Sequence, residues 1–245
     1  MSTPAPTLTL IIPALDEAES IGLQLSALPR HLFAQILVVD NGSTDGTAAA
    51  ARTAGAEVIV EPRRGYGRAC RAGLAALRPE TSAVMFMDAD LSDDPADIAS
   101  LAKTFAQGGW DLVVGSRVLG RAEPGSLTPA QRFGNWLTTR LIRWLWGARF
   151  TDLGPLRIVS RTALERLDLR DPDFGWNVEM QAKAARLGLA GTEVPVNCRR
   201  RRFGRSKISG TVLGSVRAGA KILWTIYRCW RTSLDSASPP QHSQG

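Results

Sequence analysis

Along the first half of the chain, short apolar runs alternate with stretches whose apolar residues recur at helical spacing. TLTLIIP (7–13), QILVVD (35–40), AEVIVE (56–61), SAVMFMD (82–88) and DLVVGSR (111–117) read as five strands. Helical patterns span about 17–28 and Tyr66 to Leu77, and Ser43-Thr44-Asp45-Gly46-Thr47 has the make-up of a turn and helix cap. Asp94-Pro95 opens a further helix, with proline in its first turn. Near-continuous apolar strands separated by helices predict an α/β protein with a mostly parallel sheet covered on both faces. Ligands of such sheets bind beyond the C-terminal strand ends, where Asp40, Asp88 and Arg117 stand.

After Arg121 the rhythm changes. WLTTRLIRWLWGAR (136–149) and VLGSVRAGAKILWTIYRCW (212–230) read as amphipathic helices in which Trp and Arg share the pattern. Two readings fit them. Indole and guanidinium side chains suit a bilayer interface at headgroup depth, and the same stripes suit packing on the sheet or between two copies of the chain. No linker divides the two halves. We therefore expect one domain over 7–232, with a nucleotide-binding half (7–120) and an acceptor- or membrane-facing half (121–232), between tails at 1–6 and 233–245.

Composition changes this picture only where it is uneven. At 245 residues, 44% hydrophobic and 22% charged, the chain is ordinary globular protein. Its start has no basic segment leading into an apolar core, so no signal peptide is expected, and no apolar run is long enough to cross a membrane. Cys70, Cys198 and Cys229 lack metal-ligand spacing, and with only His31 and His242 beside them they exclude a zinc or disulfide framework. A reduced, cytoplasmic setting follows. The net charge of +7 is concentrated late: Val194 to Ser233 holds ten Lys and Arg and no acidic residue. Such a segment wants an anionic partner, whether phosphate, membrane surface or nucleic acid.

Against that basic background, AVMFMDADLSDDP (83–95) carries four carboxylates directly after an apolar strand. Strand alternation sends Asp88 and Asp90 to one side, where they repel unless a cation is bound, and a diphosphate with oxygen ligands suits Mg²⁺ or Mn²⁺. The plainer reading is an Asp-rich turn and helix cap, which we expect of Asp93-Asp94-Pro95. A DxD alone decides little, so the surrounding motifs matter.

Those motifs are IIPALDEAESI (11–21), VVDNGSTDGT (38–47), RGYGRACRAGL (64–74), MDADLSDDP (87–95), GSR (115–117) and RRFGRSKISG (201–210). In order and spacing they resemble family 2 glycosyltransferases of the GT-A fold, in the branch of dolichyl-phosphate mannose synthase and bacterial polyprenyl-phosphate glycosyltransferases. The resemblance runs from about Leu8 to Lys207. It implies that Pro13, Leu15 and Glu17 line a nucleotide pocket, with Asp40 on the base or ribose. It implies that Asp88, Ala89, Asp90 and Ser92 meet the donor, and that Asp88, Asp90 and Ser92 hold the metal. Arg117, Arg132, Arg201 or Arg202 of the basic run, and Lys207 would handle phosphate, with Asp90, Arg117 and Arg132 closest to the chemistry. Gly65, Gly67 and Gly73 serve either close approach to ligand or backbone tolerance in a turn and helix contact.

The implied reaction is inverting transfer of a mannose- or glucose-class sugar from a GDP- or UDP-sugar to polyprenyl phosphate, at the cytoplasmic membrane face. Membrane contact would be peripheral, through an anchoring partner or a homo-oligomer if not directly. A nucleic-acid partner is not expected, because it leaves the nucleotide-site motifs without a role. Three departures bear on the details. Asp16 stands where the family has Asn, Leu15 replaces an aromatic, and Ser92 replaces a Gln, so that Ser92 or Asp93 would complete the metal site. A lipid phosphate is already an anionic nucleophile and needs positioning, whereas a hydroxyl acceptor needs a carboxylate base. Glu179 is the candidate for that alternative, and its other reading is a partner for an arginine.

Overall fold

The apolar runs build one seven-stranded sheet in the order β3-β2-β1-β4-β6-β5-β7. The computed structural model of the chain describes residues 6–203 and 212–237, without the side chains of 212–218 and 233–237. The first half follows the expected alternation: β1 (Leu8–Ala14), α1 (Ala18–Ala27), β2 (Phe33–Asp40), α2 (Thr47–Thr53), β3 (Glu57–Val60), α3 (Tyr66–Ala75), β4 (Ala83–Phe86), α4 (Pro95–Ala106) and β5 (Leu112–Ala122). The remainder is α5 (Pro129–Trp146), β6 (Arg157–Ser160), α6 (Arg161–Leu167), α7 (Trp176–Arg186), β7 (Gly191–Cys198) and α8 (Val212–Ala237).

Strand β4 shows why the central strands are apolar on both faces. Ala83 and Met85 enter one core layer with Leu10, Ile12 and Ile98, while Val84 and Phe86 enter the other with Ile11, Leu37 and Trp176. Each fully buried aliphatic or aromatic side chain of this kind contributes about 1.5–3 kcal/mol of transfer free energy. Phe86 meets Trp176 edge-on at 6.2 Å, which ties α7 to the sheet.

The topology creates the site. From β1 the chain steps outward through β2 to β3, then returns so that β4 pairs with β1 on its other side. That reversal leaves a crevice between the C-terminal ends of β1 and β4, where neighbouring connections diverge. β6 runs antiparallel to β4 and β5, the antiparallel member of an otherwise parallel sheet, as a mostly parallel sheet allows. Its first residue, Arg157, pairs with Phe86 at the C-terminal end of β4, so the 150–156 loop is delivered to the crevice end of the sheet.

Three boundaries differ from the sequence pattern for physical reasons. α5 begins at Pro129, seven residues before Trp136, because Thr128 and Gln131 form a reciprocal capping box ahead of that proline. It stops at Gly147, whose φ of 75° suits a residue without Cβ. α8 continues to Ala237, past Thr232 and into the expected tail.

Candidate active site

The loop after β1 turns at Asp16, which sits at φ 50°. Its carboxylate accepts from the Thr44 amide at 2.7 Å and the Thr44 hydroxyl at 3.2 Å, while its own amide donates to the Ser43 hydroxyl. Asp tolerates this left-handed backbone as Asn does, so the substitution keeps the turn that joins the β1 and β2 loops. Glu17, next along, donates its amide to Thr47 and turns its buried carboxylate inward. Asp40, at the end of β2, is buried and accepts from the Ser43 amide at 3.0 Å. Pro13 and Leu15 are half-buried at the C-terminal end of β1.

The loop after β4 turns in the same way. Leu91 adopts φ 63°, costly for a branched side chain at about 1–3 kcal/mol, and this bends the chain so that the Ser92 amide donates to Asp90. Asp88 and Asp90 are thereby drawn together with Ala89 packed beneath them. Burial first, and then the charge of Asp90, push the Asp88 carboxyl up to about 7, while Arg117 and Arg201 pull in the other direction.

Asp93 departs from the expectation that it starts the helix with Asp94. Only Asp94 caps α4, accepting from the Ala96 amide at 3.1 Å. Asp93 is buried, its carboxylate faces the Asp88 amide at 3.4 Å, and burial followed by Asp88 and Asp90 raises its pKa well above the usual range. An antiparallel bridge from Asp93 to Cys198 turns it inward, so the four carboxylates divide three and one.

Arg201 is the member of the basic run that enters the cluster. It pairs with Glu17 at 2.6 Å and with Asp90 at 2.8 Å. The others are engaged elsewhere: Arg199 with Asp94 at 2.6 Å, Arg200 through its amide with Glu123, and Arg202 over the Phe203 ring. Arg132 is exposed in the first turn of α5, and Lys207 lies outside the described residues. The geometry thus unites Glu17, Asp88, Asp90, Asp93, Arg117 and Arg201 and leaves Arg132 and Arg202 outside that contact set.

Arg117 is more constrained than its place at a strand end suggests. Asp152 holds it through Nε at 2.7 Å and Nη2 at 2.8 Å, and also accepts from its backbone amide. Burial opposes the Arg117 charge, but Asp152 outweighs it and keeps the guanidinium protonated; in return the Asp152 carboxyl lies below its ordinary range. Glu193 of β7 fixes the same loop by accepting from the Thr151 and Asp152 amides. Arg157, fully buried, bonds the Leu153 and Gly154 carbonyls, and burial brings its pKa down to about 10. Neither Asp152 nor Arg157 stands out in the sequence, although a charge just before the segment LGPLRIVS and another inside it are readable signals.

Glu179 proves to be a structural anion. Its carboxylate accepts from the Arg170 and Asp171 amides at 3.0 and 2.6 Å and pairs with Lys183 at 2.9 Å and Arg228 at 3.3 Å. With Asp171, which meets Lys221 at 3.0 Å, it fastens α8 to α7. The glycines of the third motif are likewise packing residues: a Cβ at Gly67 would lie 1.9 Å from the Asp171 carbonyl, and one at Gly73 2.7 Å from Ile11. The Tyr66 hydroxyl on the same helix is buried beside Asp88 and Cys70 with no well-formed hydrogen bond.

Among the described residues no three His, Cys, Asp or Glu side chains are arranged to hold an ion alone. The cluster suits a hard cation shared with a ligand, because Mg²⁺ and Mn²⁺ are commonly held by one or two carboxylates plus substrate phosphates. The crowding of Asp88, Asp90 and Asp93, which together with burial raises the Asp88 and Asp93 carboxyls, is the observation that fits such an ion.

The seven-stranded sheet flanked by helices is a GT-A-like α/β fold, and an acidic pair stands at its crevice. The model of the family described as glycosyl transferase family 2 matches residues 9–168, and the chain belongs to that family. It is 38% identical over 209 residues to an uncharacterized glycosyltransferase of Mycobacterium tuberculosis, covering 85% of this chain and 92% of that one. It is 33% identical over 225 residues to the undecaprenyl-phosphate mannosyltransferase of Micrococcus luteus, covering 83% and 88%. Among solved structures, glucosyl-3-phosphoglycerate synthase of Mycobacterium tuberculosis with Mn²⁺ and UDP superposes with a TM-score of 0.72 over 91% of this chain and 80% of that one, at 24% identity. The chain is a glycosyltransferase.

Proposed function

We propose that this glycosyltransferase moves a mannose- or glucose-class sugar from a GDP- or UDP-sugar to polyprenyl phosphate, with inversion at the anomeric carbon. The observation that carries the donor half is the convergence of Asp88, Asp90 and Arg201 at the crevice, a charge pattern matched to a diphosphate with its cation. Pro13, Leu15, Glu17 and Asp40 border the nucleotide side. A divalent cation at Asp88 and Asp90, with oxygen from Ser92 or Asp93, would offset charge on the leaving diphosphate. The chain's own part is to hold the donor against the crevice and bring phosphate oxygen in line with the anomeric carbon. A lipid phosphate oxygen forms the new C–O bond as the bond to the donor's diphosphate breaks, and the nucleoside diphosphate leaves.

The acceptor half rests on what Glu179 does. The carboxylate that could have activated a hydroxyl is committed to four partners, whereas a phosphate arrives ionised and requires cationic positioning. Arg117 suits this role, since Asp152 uses only Nε and Nη2 and a guanidinium has further donors to offer. Arg132 and Lys207 are proposed to complete the acceptor side. The name of the Micrococcus luteus relative supports the lipid phosphate.

We place the enzyme peripherally at the cytoplasmic face. No helix among the described residues is long and apolar enough to cross a membrane. Phe133, Trp136 and Trp144 of α5 and Leu223, Trp224, Tyr227 and Trp230 of α8 are nonetheless exposed, alongside basic residues that suit anionic headgroups. The donor and acceptor assignments are tested together by offering GDP- and UDP-hexoses with Mn²⁺ and a short polyprenyl phosphate and following nucleoside-diphosphate release. Release that requires the lipid phosphate supports the proposal; release that requires a hydroxyl acceptor instead contradicts it.

A further inference from the structure

Arg201 does more in this geometry than lie near a phosphate site. It forms two ion pairs at once, at 2.6 Å with a buried carboxylate of the β1 loop and at 2.8 Å with a buried carboxylate of the β4 loop. The remaining oxygens of that pair are served by neutral donors: Ser20 for Glu17 at 2.7 Å and the Ser92 amide for Asp90 at 3.0 Å. Buried carboxylates are costly without a counter-charge, so the guanidinium is what makes the pair tolerable in the ligand-free crevice. It is also attached to a loop at the crevice rim and one-quarter exposed, so it has room to move.

We infer that Arg201 is a resident counter-cation: it holds Asp90 and Glu17 while the donor site is empty, gives up Asp90 when a divalent ion arrives with a nucleoside diphosphate, and transfers its own pairing to the diphosphate. This rests on the reading of Asp88 and Asp90 as the metal-donor site. A divalent ion on Asp90 and the guanidinium on its Oδ2 repel each other at close range, so binding of the bare ion competes with the Arg201 pair. A diphosphate removes that conflict by offering the guanidinium new oxygens. The site therefore disfavours the bare ion and favours the ion together with nucleotide, and by linkage each must raise the other's affinity by the same factor. Asp88 feels the same guanidinium, whose positive charge draws its raised carboxyl pKa downward.

The test is Mn²⁺ titration of the full chain by electron paramagnetic resonance, alone and with saturating GDP or UDP. Arg199→Gln is the control, because Arg199 belongs to the same basic run but pairs with Asp94 outside the cluster. Relative to Arg199→Gln, Arg201→Gln is expected to bind Mn²⁺ alone about tenfold more tightly, the share of one charge-assisted pair in a partly solvated site. The enhancement of Mn²⁺ binding by nucleoside diphosphate is expected to shrink by a similar factor. Mn²⁺ affinities that agree within about twofold between the two variants overturn the inference. Asp90→Asn separates this failure from failure of the underlying reading. If it leaves Mn²⁺ binding at the wild-type level, the metal site itself is misassigned; if it abolishes binding while Arg201→Gln matches the control, the site stands and the counter-cation role falls.

Discussion

Replacing Glu179 with Gln separates a structural anion from a catalytic base. Glu179 is 1% exposed, and its two partners of opposite charge, Lys183 and Arg228, are 14% and 40% exposed. Deleting one member of a fully buried pair costs about 3–5 kcal/mol, and the partial solvation of both cations reduces this to about 2–3 kcal/mol. Gln keeps the shape and one acceptor oxygen, but it turns an amide donor toward either the Arg170 and Asp171 amides or the two cations. At about 2–4 °C per kcal/mol for a chain of this size, the melting midpoint should fall by about 4–12 °C. Turnover well below that midpoint, with a short polyprenyl phosphate, should stay within about threefold of wild type, or about 0.65 kcal/mol of barrier. The assay is a thermal melt beside initial rates on the same preparation. An unchanged melt with a loss of about a hundredfold or more, the usual scale of a removed general base, would refute the reasoning and revive the hydroxyl acceptor.

Three further outcomes follow from the same geometry. The Asp88 carboxyl sits at about 7 in the folded chain against 3.8 ordinarily, so its contribution to stability is fullest below 3.8 and is lost as pH rises through about 7. The metal-free chain should therefore melt lower at pH 8 than at pH 5 by a margin that Asp88→Asn reduces, and the same variant should lose Mn²⁺ binding; an identical pH profile in the two would count against the crowding of Asp88 with Asp90. Asp152→Asn removes the fixed partner of Arg117 and should lower the melting midpoint while raising KM for polyprenyl phosphate more than KM for the donor; an unaltered acceptor KM would remove Arg117 from the acceptor side. Anionic vesicles should sediment the wild-type chain at low salt, and Trp144→Ala with Trp224→Ala should weaken this by about tenfold; equal sedimentation would leave the exposed aromatic face without its lipid partner.

The acidic stretch after β4, proposed as the donor side, is legible in the sequence because local chemistry and topology coincide there. Val84, Met85 and Phe86 are apolar in an unbroken run, so the strand, its end and the two aspartates after it can be read together. The cap at Asp94 is legible for the same reason, since Pro95 follows it. Asp93 is not, because its inward turn depends on pairing with Cys198, a contact between distant segments. β6 escapes notice for a related reason: RIVS is four residues long, carries a buried arginine, and runs antiparallel. With β6 go the 150–156 loop and Asp152, whose role becomes visible only when the sheet order sets it against Arg117. Spacing alone cannot say which arginine of 199–202 enters the crevice, since all four are equally basic and only the fold gives each its surroundings.

The most direct measurement follows radiolabelled sugar from its nucleotide donor after incubation with Mn²⁺ and polyprenyl phosphate. Label is expected in an organic-extractable product that mild acid releases, as in a glycosyl phosphate, and no such label with Asp90→Asn. Label that stays in a water-soluble product, or transfer to the lipid that persists in Asp90→Asn, would contradict the proposed reaction.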